Sequence, residues 1–433
     1  MDLPRNLRAF ARRAHRVVAV IGGFATVLAI AACGEPFFPG APRDDSILEG
    51  PIAGLTAPQH AIFLRGDAEF GRAFASTEGL GPLFIAQSCD ACHAGDGKGH
   101  PIFDITRFGR YEGLTFDPMI ADGGPQLQNR AILGYLAETR PSASTVMARF
   151  TPPALTGLGL LEAVDDSSIL ARADSADLNA DGISGRASWV TASPLVDGLA
   201  AEGLRGVPGT PARHLSWSGR YLGRFGKKAT TITLRHQTVN AYSEDMGLTT
   251  ADHPYDLVLP ELPGSSGDGV ADPEVGSGIV STVVFYLRAL RPPPRRDAAN
   301  PEVLAGRQRF IAIGCANCHV MTMRTGRSSI AALDRIEFEP LTDLLLHDMG
   351  PELDDGYTEG TSSSSEWRTA PLWGIGLAER ATGGTQFLLH DGRARSLRAA
   401  IGFHGGEASA SRATFNALPA VEQERILRYL RSL

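Results

Sequence analysis

Four of the five cysteines in this 433-residue chain stand in two pairs, and a histidine directly follows each pair. The two segments read Cys89-Asp-Ala-Cys92-His93 and Cys315-Ala-Asn-Cys318-His319. Cys-x-x-Cys-His is the attachment motif of c-type haem, in which the thiols bond the porphyrin and the histidine binds the iron. Two motifs predict two covalently attached haems, with His93 and His319 as proximal iron ligands. Two disulfides are the alternative, although so short an interval would strain each bridge.

The fifth cysteine, Cys33, ends an N-terminal segment that is typical of an exported protein. Residues 1–16 contain five arginines, and residues 17–32 contain no charged side chain. A basic start before an apolar stretch is the pattern of a secretory signal peptide. The segment Ile30-Ala-Ala-Cys33-Gly34 resembles a bacterial lipoprotein box, which implies cleavage after residue 32 and lipidation of Cys33. An ordinary signal peptide is the alternative.

We therefore expect a signal peptide at 1–32 and a lipidated, flexible tether at 33–54, which is rich in proline and glycine. The mature protein would face the periplasm of a Gram-negative bacterium, anchored to the membrane by its lipid. With an ordinary signal peptide it would be a soluble periplasmic protein. Export agrees with the two motifs, because bacteria attach c-type haem after translocation.

Composition places the chain among ordinary globular proteins and excludes some partners. Hydrophobic residues make up 43% and charged residues 21%, which excludes a wholly disordered chain and a coiled coil. The 49 glycines and 28 prolines predict many loops. Loss of residues 1–32 removes five arginines and one aspartate, so the net charge changes from −7 to −11. We expect no binding to nucleic acid, which needs lysine and arginine at the phosphates.

The motifs need helices to position them, and the chain supplies the same arrangement twice. A cytochrome c-like domain packs a helix that precedes its motif against a helix at its end. Before the first motif, Phe70 and Phe74 are four residues apart on one face of a predicted helix. Far downstream of that motif, 277–290 carries apolar residues at helical spacing and would be the closing helix. Before the second motif, Asn300-Pro301 is an N-cap followed by proline, which predicts the start of a helix. After that motif, the amphipathic segment 419–433 would be the closing helix.

These patterns predict a mainly α fold with many loops, built from two cytochrome c-like haem domains at about 55–291 and 297–433. The first domain is longer than a small cytochrome c, so we expect an insertion near 150–270. The segment Arg291-Pro-Pro-Pro-Arg-Arg296 would form a stiff linker between the two domains.

Nine segments, in order along the chain, match one bacterial family. They are 79–84, 157–162, 182–186, Gly223-Arg-Phe-Gly-Lys-Lys-Ala229, Glu244-Asp-Met-Gly-Leu-Thr249, 344–352, 367–376, Leu389-His-Asp-Gly-Arg-Ala-Arg-Ser-Leu397 and 404–408. In these segments the chain resembles the bacterial di-haem c-type oxidoreductases. That family has peroxidase-like members and is related to di-haem cytochrome c peroxidases and to the methylamine-utilisation di-haem enzyme.

The resemblance implies an enzyme with a division of labour between its haems. One haem reacts with peroxide or another oxidant. The other, here the second, accepts electrons from a small periplasmic donor of the cytochrome c or cupredoxin type. Lys227 stands where the family would have an aromatic residue, which argues against an electron relay at that position. The alternative is an electron-transfer cytochrome or redox sensor in which both irons are six-coordinate.

The resemblance also implies a distal ligand for the second haem shortly after a His-Asp-Gly segment. His404 occupies that position, fourteen residues after His390, and imidazole is a strong iron ligand. We therefore expect His319 and His404 to hold a low-spin, electron-transferring haem between them. Met349 and His347 are the alternatives to His404.

For the first haem the sequence indicates no distal ligand. His60 and His100 lie near the motif and Met246 is a further candidate, but such residues more often pack or face solvent. We expect an open or water-ligated iron, which lets peroxide reach the metal.

Peroxide cleavage needs a group that takes a proton from one oxygen and delivers it to the other. Related enzymes use a carboxylate with a nearby amide; the resemblance favours Glu162 as the carboxylate and Gln126 or Gln128 as the amide. Trp373 and Trp189 are candidates for electron passage between the haems, although tryptophans first of all fill cores.

A further segment, Asp177-Leu-Asn179-Ala-Asp181-Gly182, matches the start of a calcium loop, with oxygen ligands at positions 1, 3 and 5 and a turn glycine at 6. Position 12 is Ser188 rather than glutamate, so the loop is not a complete EF-hand. It predicts a calcium site, with a set of Asx turns as the alternative.

Overall fold

The computed structural model describes residues 48–204, 213–216, 218–257 and 267–433. Cys33, the predicted signal peptide and residues 33–47 of the predicted tether lie outside the described residues. The helices are α1 (Ala57–Phe70), α2 (Cys89–Cys92), α3 (Leu158–Glu162), α4 (Asp166–Leu170), α5 (Pro194–Leu204), α6 (Leu234–Asn240), α7 (Ser277–Ala289), α8 (Pro301–Ala312), α9 (Leu397–Gly402), α10 (Ser409–Ala417) and α11 (Ala420–Ser432).

The strands are shorter than most of the helices and hold fewer residues in total, so the described chain is mainly α with many loops. They are β1 (Leu83–Phe84), β2 (Ile105–Glu112), β3 (Thr115–Asp117), β4 (Gln126–Leu127), β5 (Arg130–Ala131), β6 (Val146–Phe150), β7 (Trp189–Thr191), β8 (Arg220–Leu222), β9 (Met323–Arg324), β10 (Glu337–Phe338), β11 (Leu346–Asp348) and β12 (Glu366–Arg368). Within the described ranges, no helix combines the length and the apolar character that a membrane span requires.

The helices that precede the two motifs begin at caps that the sequence contains. At α1, Thr56 and Gln59 form a capping box in which the Thr56 amide donates to Gln59 Oε1 at 2.9 Å. At α8, Asn300 Oδ1 accepts from the Glu302 amide at 2.9 Å, and Pro301 takes the first helical position. The predicted start of α8 is therefore confirmed.

One type of contact joins α1 to α7. Gly66 of α1 lies so close to α7 that an added Cβ would overlap the carbonyl oxygen of Thr282. The ring of Phe70, at the end of α1, packs 5.5 Å from the ring of Tyr286 on α7. The glycine lets the two helices approach closely, and the aromatic pair fills the space below it.

The same contact joins α8 to α11. An added Cβ at Gly306 of α8 would overlap the carbonyl oxygen of Arg425 on α11. The ring of Phe310 packs 5.4 Å from the ring of Tyr429. The two helix pairs thus repeat one glycine–phenylalanine–tyrosine arrangement, each next to one Cys-x-x-Cys-His motif.

Two details of these helices differ from the sequence pattern. Helix α1 ends at Phe70 because Gly71 forms its C-cap, so Phe74 lies beyond the helix, where it is still buried. The amphipathic pattern of 419–433 predicts one apolar face with Val421, Ile426, Leu427 and Leu430; the last three are buried in α11, whereas Val421 is exposed in the first turn.

The described residues belong to one compact unit that contains several hydrophobic clusters. The largest gathers α1, α7 and the first motif. A second gathers α8, α11 and the second motif. The division into haem domains at 55–291 and 297–433, with an insertion near 150–270, stays a prediction.

Between the first motif and α3 the chain forms an antiparallel sheet around β2, which pairs with β3, β4 and β6. Strand β6 alternates, with Val146, Ala148 and Phe150 buried, as expected for a strand with one face on the core. The β2–β4 register sets Arg107 opposite Gln126. The sheet therefore carries one of the predicted amide side chains into the interior.

Helix α6 continues into one turn of π-helix, Ala241–Asp245. Such turns are rare and occur frequently at functional sites. The carbonyl oxygen of Asp245 accepts hydrogen bonds from the amides of Ile85 and Ala86 at 2.7 and 3.1 Å. These bonds fix the π turn to the segment that leads into the first motif.

Candidate haem sites

Helix α2 presents the first motif. Ser88 is its N-cap and accepts from the Ala91 amide at 3.1 Å, which holds the two cysteines on one short turn. His93 follows, and its Nδ1–H donates to the carbonyl oxygen of Pro153 at 2.9 Å. This bond orients the ring and leaves Nε2 for a metal. Burial lowers the pKa of His93 to about 4, so the imidazole is neutral, as an iron ligand must be.

The second motif has the same local geometry on a short 3₁₀ turn at Cys315–Asn317. The Nδ1–H of His319 donates to the carbonyl oxygen of Leu341 at 2.8 Å, and burial lowers the pKa of His319 to about 4. Phe310 packs 6.3 Å from the ring of His319, as Phe70 packs 6.3 Å from the ring of His93. Each proximal histidine is thus held by a backbone carbonyl and the phenylalanine of the preceding helix.

The four motif cysteines are free thiols. Burial raises the pKa of Cys89, Cys92 and Cys315 to about 12 and also raises that of Cys318. Thiols of this kind are poor nucleophiles, which argues against a dithiol redox centre. Two thiols and a neutral imidazole with a free Nε2 at each site fit a covalently held haem, and these residues would hold it.

His404 lies beside the second site, and its Nδ1, like that of His319, bonds a backbone carbonyl oxygen. Its Nδ1–H donates to the carbonyl oxygen of Ala400 at 2.8 Å, which leaves Nε2 free. Burial lowers the pKa of His404, and His404 is close enough to contribute to the lowered pKa of His319. The geometry agrees with the predicted His319/His404 pair, which stays a prediction.

The alternatives to His404 are engaged elsewhere. His347 binds Asp343 Oδ2 through Nε2 at 2.7 Å and Glu407 Oε2 through Nδ1 at 2.6 Å. Against the effect of burial, hydrogen bonds to Asp343, Cys318 and Glu407 raise the pKa of His347 to about 12. Both ring nitrogens of His347 are thus hydrogen-bonded, which favours His404 over His347 as the ligand; the assignment stays a prediction. Met349 packs against a separate hydrophobic cluster that contains Trp367.

Near the first motif, neither His60, His100 nor Met246 shows, within the described residues, the Nδ1 bond to a backbone carbonyl that His404 makes. His60 is exposed on α1. His100 Nδ1 accepts from the Ile102 amide at 3.1 Å, and its ring packs 4.5 Å from Phe387. Met246 is buried in the largest hydrophobic cluster. An open or water-ligated first iron stays the prediction.

Glu162, the predicted acid–base carboxylate, is locked in a buried ion pair. Its Oε2 accepts from Arg288 Nε at 2.5 Å, and its Oε1 accepts from Arg288 Nη2 at 3.2 Å and from the Leu234 amide at 2.7 Å. The side chains of Glu162 and Arg288 are 1% and 5% exposed. These contacts tie α3 to α6 and α7. A role in proton transfer would have to break them.

The two predicted glutamines lie together, but their side chains contact the Asp245 carboxylate and the Glu244 backbone rather than Glu162. Gln126 Nε2 donates to the Glu244 carbonyl oxygen at 2.9 Å and to Asp245 Oδ1 at 2.7 Å. Gln128 Nε2 donates to the same Glu244 carbonyl oxygen at 3.0 Å. The structure therefore adds Asp245 to the candidate residues. The matching segment at 244–249 included it, but its contact with a glutamine 119 residues away follows only from the fold.

The predicted relay residues are core residues in the described chain. Trp373 is buried, and its Nε1–H donates to the Thr156 carbonyl oxygen at 2.9 Å. Trp189 is half-buried on β7.

Lys227 stands where the family would have an aromatic residue. Burial lowers the pKa of Lys227 well below its usual range, with Lys98 and Arg368 adding to the effect. The relay roles stay predictions.

The oxygens of the predicted calcium loop accept hydrogen bonds within the loop. Asp177 accepts from the Gly182 amide, Asn179 Oδ1 from the Asp181 amide and Asp181 Oδ1 from the Ile183 amide, at 3.2, 2.9 and 2.9 Å. This is the Asx-turn arrangement given as the alternative. Calcium binding stays a prediction.

Comparison with known proteins gives one family. A family model described as "di-haem oxidoreductase, putative peroxidase" matches residues 143–433. Among solved structures, the chain is similar to Kuenenia stuttgartiensis hydrazine synthase pressurised with xenon, with 14% identity, a TM-score of 0.35, and coverage of 93% of this chain and 97% of the other. It is also similar to a MauG-like protein associated with microbial copper homeostasis, with 16% identity, a TM-score of 0.29, and coverage of 64% and 89%. No curated protein matches the chain.

Proposed function

Because the chain belongs to the di-haem oxidoreductase family, we propose that it is a c-type enzyme that reduces peroxide at its first haem and receives electrons through its second. The observation that carries the proposal is the difference between the two motifs. A second imidazole, His404, supports the site of His319, whereas Asp245, paired with Gln126, is hydrogen-bonded to the segment that leads into the motif of His93.

Each haem, when bound, supplies one-electron chemistry at its iron. The chain's own residues would then divide the work. His319 and His404 would saturate the second iron, which favours electron transfer over reaction with small molecules. His93 alone would leave the first iron accessible to peroxide. The carbonyl oxygens of Pro153, Leu341 and Ala400 hold Nδ1 of the three imidazoles, so Nε2 of each would be free to bind the iron.

The cellular setting is part of the same proposal. The N-terminal pattern supports export, cleavage after residue 32 and a lipid on Cys33. The electron donor would be a small periplasmic protein of the cytochrome c or cupredoxin type. The mature net charge of −11 suits a donor with a basic contact surface.

Electron paramagnetic resonance of the purified ferric holoprotein tests the proposal. We expect one high-spin signal, from the first haem, and one low-spin signal, from the second, and we expect peroxide to change the high-spin signal. Two wholly low-spin haems in every redox state would overturn the enzymatic proposal and favour an electron-transfer cytochrome or redox sensor. A high-spin signal that peroxide leaves unchanged would overturn peroxide as the substrate of the first haem.

A further inference from the structure

Trp367 of β12 and His390 form a stacked pair of rings inside the protein. Their ring centroids are 3.7 Å apart and the ring planes differ by 7°, and each residue is 7% exposed. The Trp367 Nε1–H donates to the Leu353 carbonyl oxygen at 2.9 Å, which fixes the plane of the indole. Aromatic pairs usually meet offset or edge to face, with centroids about 4.5–7 Å apart. The two π systems are thus in closer contact than those of most aromatic pairs.

Hydrogen bonds and a short run of backbone join His390 to the first motif. The carbonyl oxygen of His390 accepts from the Thr151 amide at 2.8 Å. Two residues after Thr151, the carbonyl oxygen of Pro153 accepts from the Nδ1–H of His93 at 2.9 Å. The stacked ring and the proximal ligand of the first haem are therefore connected by two hydrogen bonds and the segment 151–153.

On the other side of the stack, Trp367 is joined to the second motif through the pairing of β11 with β12. In this antiparallel pair Trp367 stands directly opposite His347, and directly opposite side chains lie on the same face of the pair. His347 Nδ1 is 3.6 Å from Cys318 Sγ, and Cys318 is one of the two thiols that would bond the second haem. One continuous route of paired strands, ring contact and hydrogen bonds thus runs from Cys318 to His93.

We propose that the Trp367–His390 stack is the electron bridge between the two haems; this inference rests on the proposed function, in which electrons pass from the second haem to the first. One electron leaves the second haem, which is oxidised, crosses the stack and reaches the first haem, which is reduced. No bond forms or breaks along the route, and no proton moves. The periplasmic donor protein then reduces the second haem again. The bridge is a different tryptophan from Trp189 and Trp373, the two candidates from the sequence.

Lys228 places a positive charge over the bridge. Its Nζ lies 3.5 Å from the centroid of the Trp367 ring, and the side chain is fully buried. The ammonium donates to the carbonyl oxygens of Ser363, Ser364 and Glu366 at 3.2, 2.8 and 2.8 Å. A cation over an indole is attracted to its electron-rich face and opposes the loss of an electron from the ring. Trp367 therefore conducts the electron without itself being oxidised to a radical.

Pulse radiolysis of the holoproteins tests the bridge. A pulse that reduces only a fraction of the haems leaves electrons unevenly distributed, and absorbance then follows their redistribution between the two haems. Trp367→Leu should lose most of the redistribution rate of the parent because the stack is removed, and Trp367→Phe should retain most of that rate. Tyr357→Leu is the matched control and should equal the parent, since Tyr357 is buried in the same hydrophobic cluster as Trp367 but outside the route.

Two further measurements separate electron conduction from an effect on folding or on the haems. The resting spectra and the reduction potentials of both haems should be the same in the parent and in Trp367→Leu, because Trp367 binds neither iron. His390→Leu should slow the redistribution as much as Trp367→Leu does. The double variant should be no slower than either single variant, since the two rings act in series and their effects are not additive.

The outcomes distinguish this inference from the function on which it rests. Redistribution as fast in Trp367→Leu as in the parent would overturn the bridge and leave the proposed function standing. An equal loss of rate in Tyr357→Leu would also overturn the bridge, because packing alone would then explain it. A parent that does not react with peroxide, but in which Trp367→Leu still slows redistribution, would overturn the peroxidase function and keep the bridge. A parent in which no electron passes between the haems would overturn both.

Discussion

The two Cys-x-x-Cys-His motifs have the same local structure and different surroundings. In both, a backbone carbonyl holds the histidine Nδ1–H and a phenylalanine packs 6.3 Å from the ring. Around the second motif the chain places imidazoles, His404 and the paired His347. Around the first it places the Asp245–Gln126 pair. The motif specifies the attachment of a haem, and residues distant in sequence specify what the haem does.

The largest expected effect is the loss of one haem when the two cysteines of one motif are removed. In Cys89→Ala/Cys92→Ala and in Cys315→Ala/Cys318→Ala, one of the two covalent haems should be lost, because each lacks both thiols of one site. Haem-to-protein ratio after acidic extraction measures the loss. The first double variant should also lose the high-spin signal and the peroxide reaction, and the second should lose the low-spin signal. Cys33→Ala is the control and should keep both haems; a double variant that does the same would contradict the two-site assignment.

A single substitution at His404 should remove the difference in spin state between the two haems. His404→Ala should convert the second haem from low spin to high spin, because the iron loses its sixth ligand. Resonance spectra of the ferric protein measure the change, and the exposed His60, as His60→Ala, is the control. His404→Met should keep the haem low-spin and raise its reduction potential, since a methionine ligand raises the potential relative to histidine. A low-spin signal that survives in His404→Ala would remove His404 from the ligand set.

Local sequence signals predicted the elements that hold the motifs. The Asn300-Pro301 cap and the apolar positions Ile426, Leu427 and Leu430 depend on residues within one or two helical turns. The end of α1 was harder, because the Phe70–Phe74 spacing suggested a helix that Gly71 ends. In each case the governing interaction lies within a few residues, where sequence patterns carry information.

The chemistry of the sites depends on contacts that no local pattern contains. Gln126 meets Asp245 across 119 residues because β4 pairs with β2 and the π turn closes against the segment before the motif. Glu407 meets His347 across 60 residues. The sequence favoured Glu162 as the carboxylate, and only the fold shows that Arg288 neutralises it.

The two carboxylates should therefore differ in what their removal costs. Glu162→Gln should lower the free energy of unfolding by about 3–5 kcal/mol, because it leaves the buried Arg288 without its ion-pair partner. Asp245→Asn should cost about 1 kcal/mol or less, because asparagine Oδ1 can still accept from Gln126. Urea unfolding of the holoproteins measures both. The double variant Glu162→Leu/Arg288→Met should recover most of the loss. An equal loss of unfolding free energy in the two single variants would contradict this difference between the two carboxylates.

The smallest effect is a pH dependence at the second site. The folded-state pKa of His347 is raised to about 12, above the usual value near 6.5. The imidazolium therefore stabilises the fold fully below about pH 6.5, and this stabilisation is lost as the pH rises toward 12. The difference in unfolding free energy between the parent and His347→Gln should fall by about 1.5–3 kcal/mol from pH 6.5 to 9. Urea unfolding at each pH measures it, with His60→Gln as a flat control. A difference that stays constant as the pH rises to 9 would show that Asp343 and Glu407 bind a neutral ring.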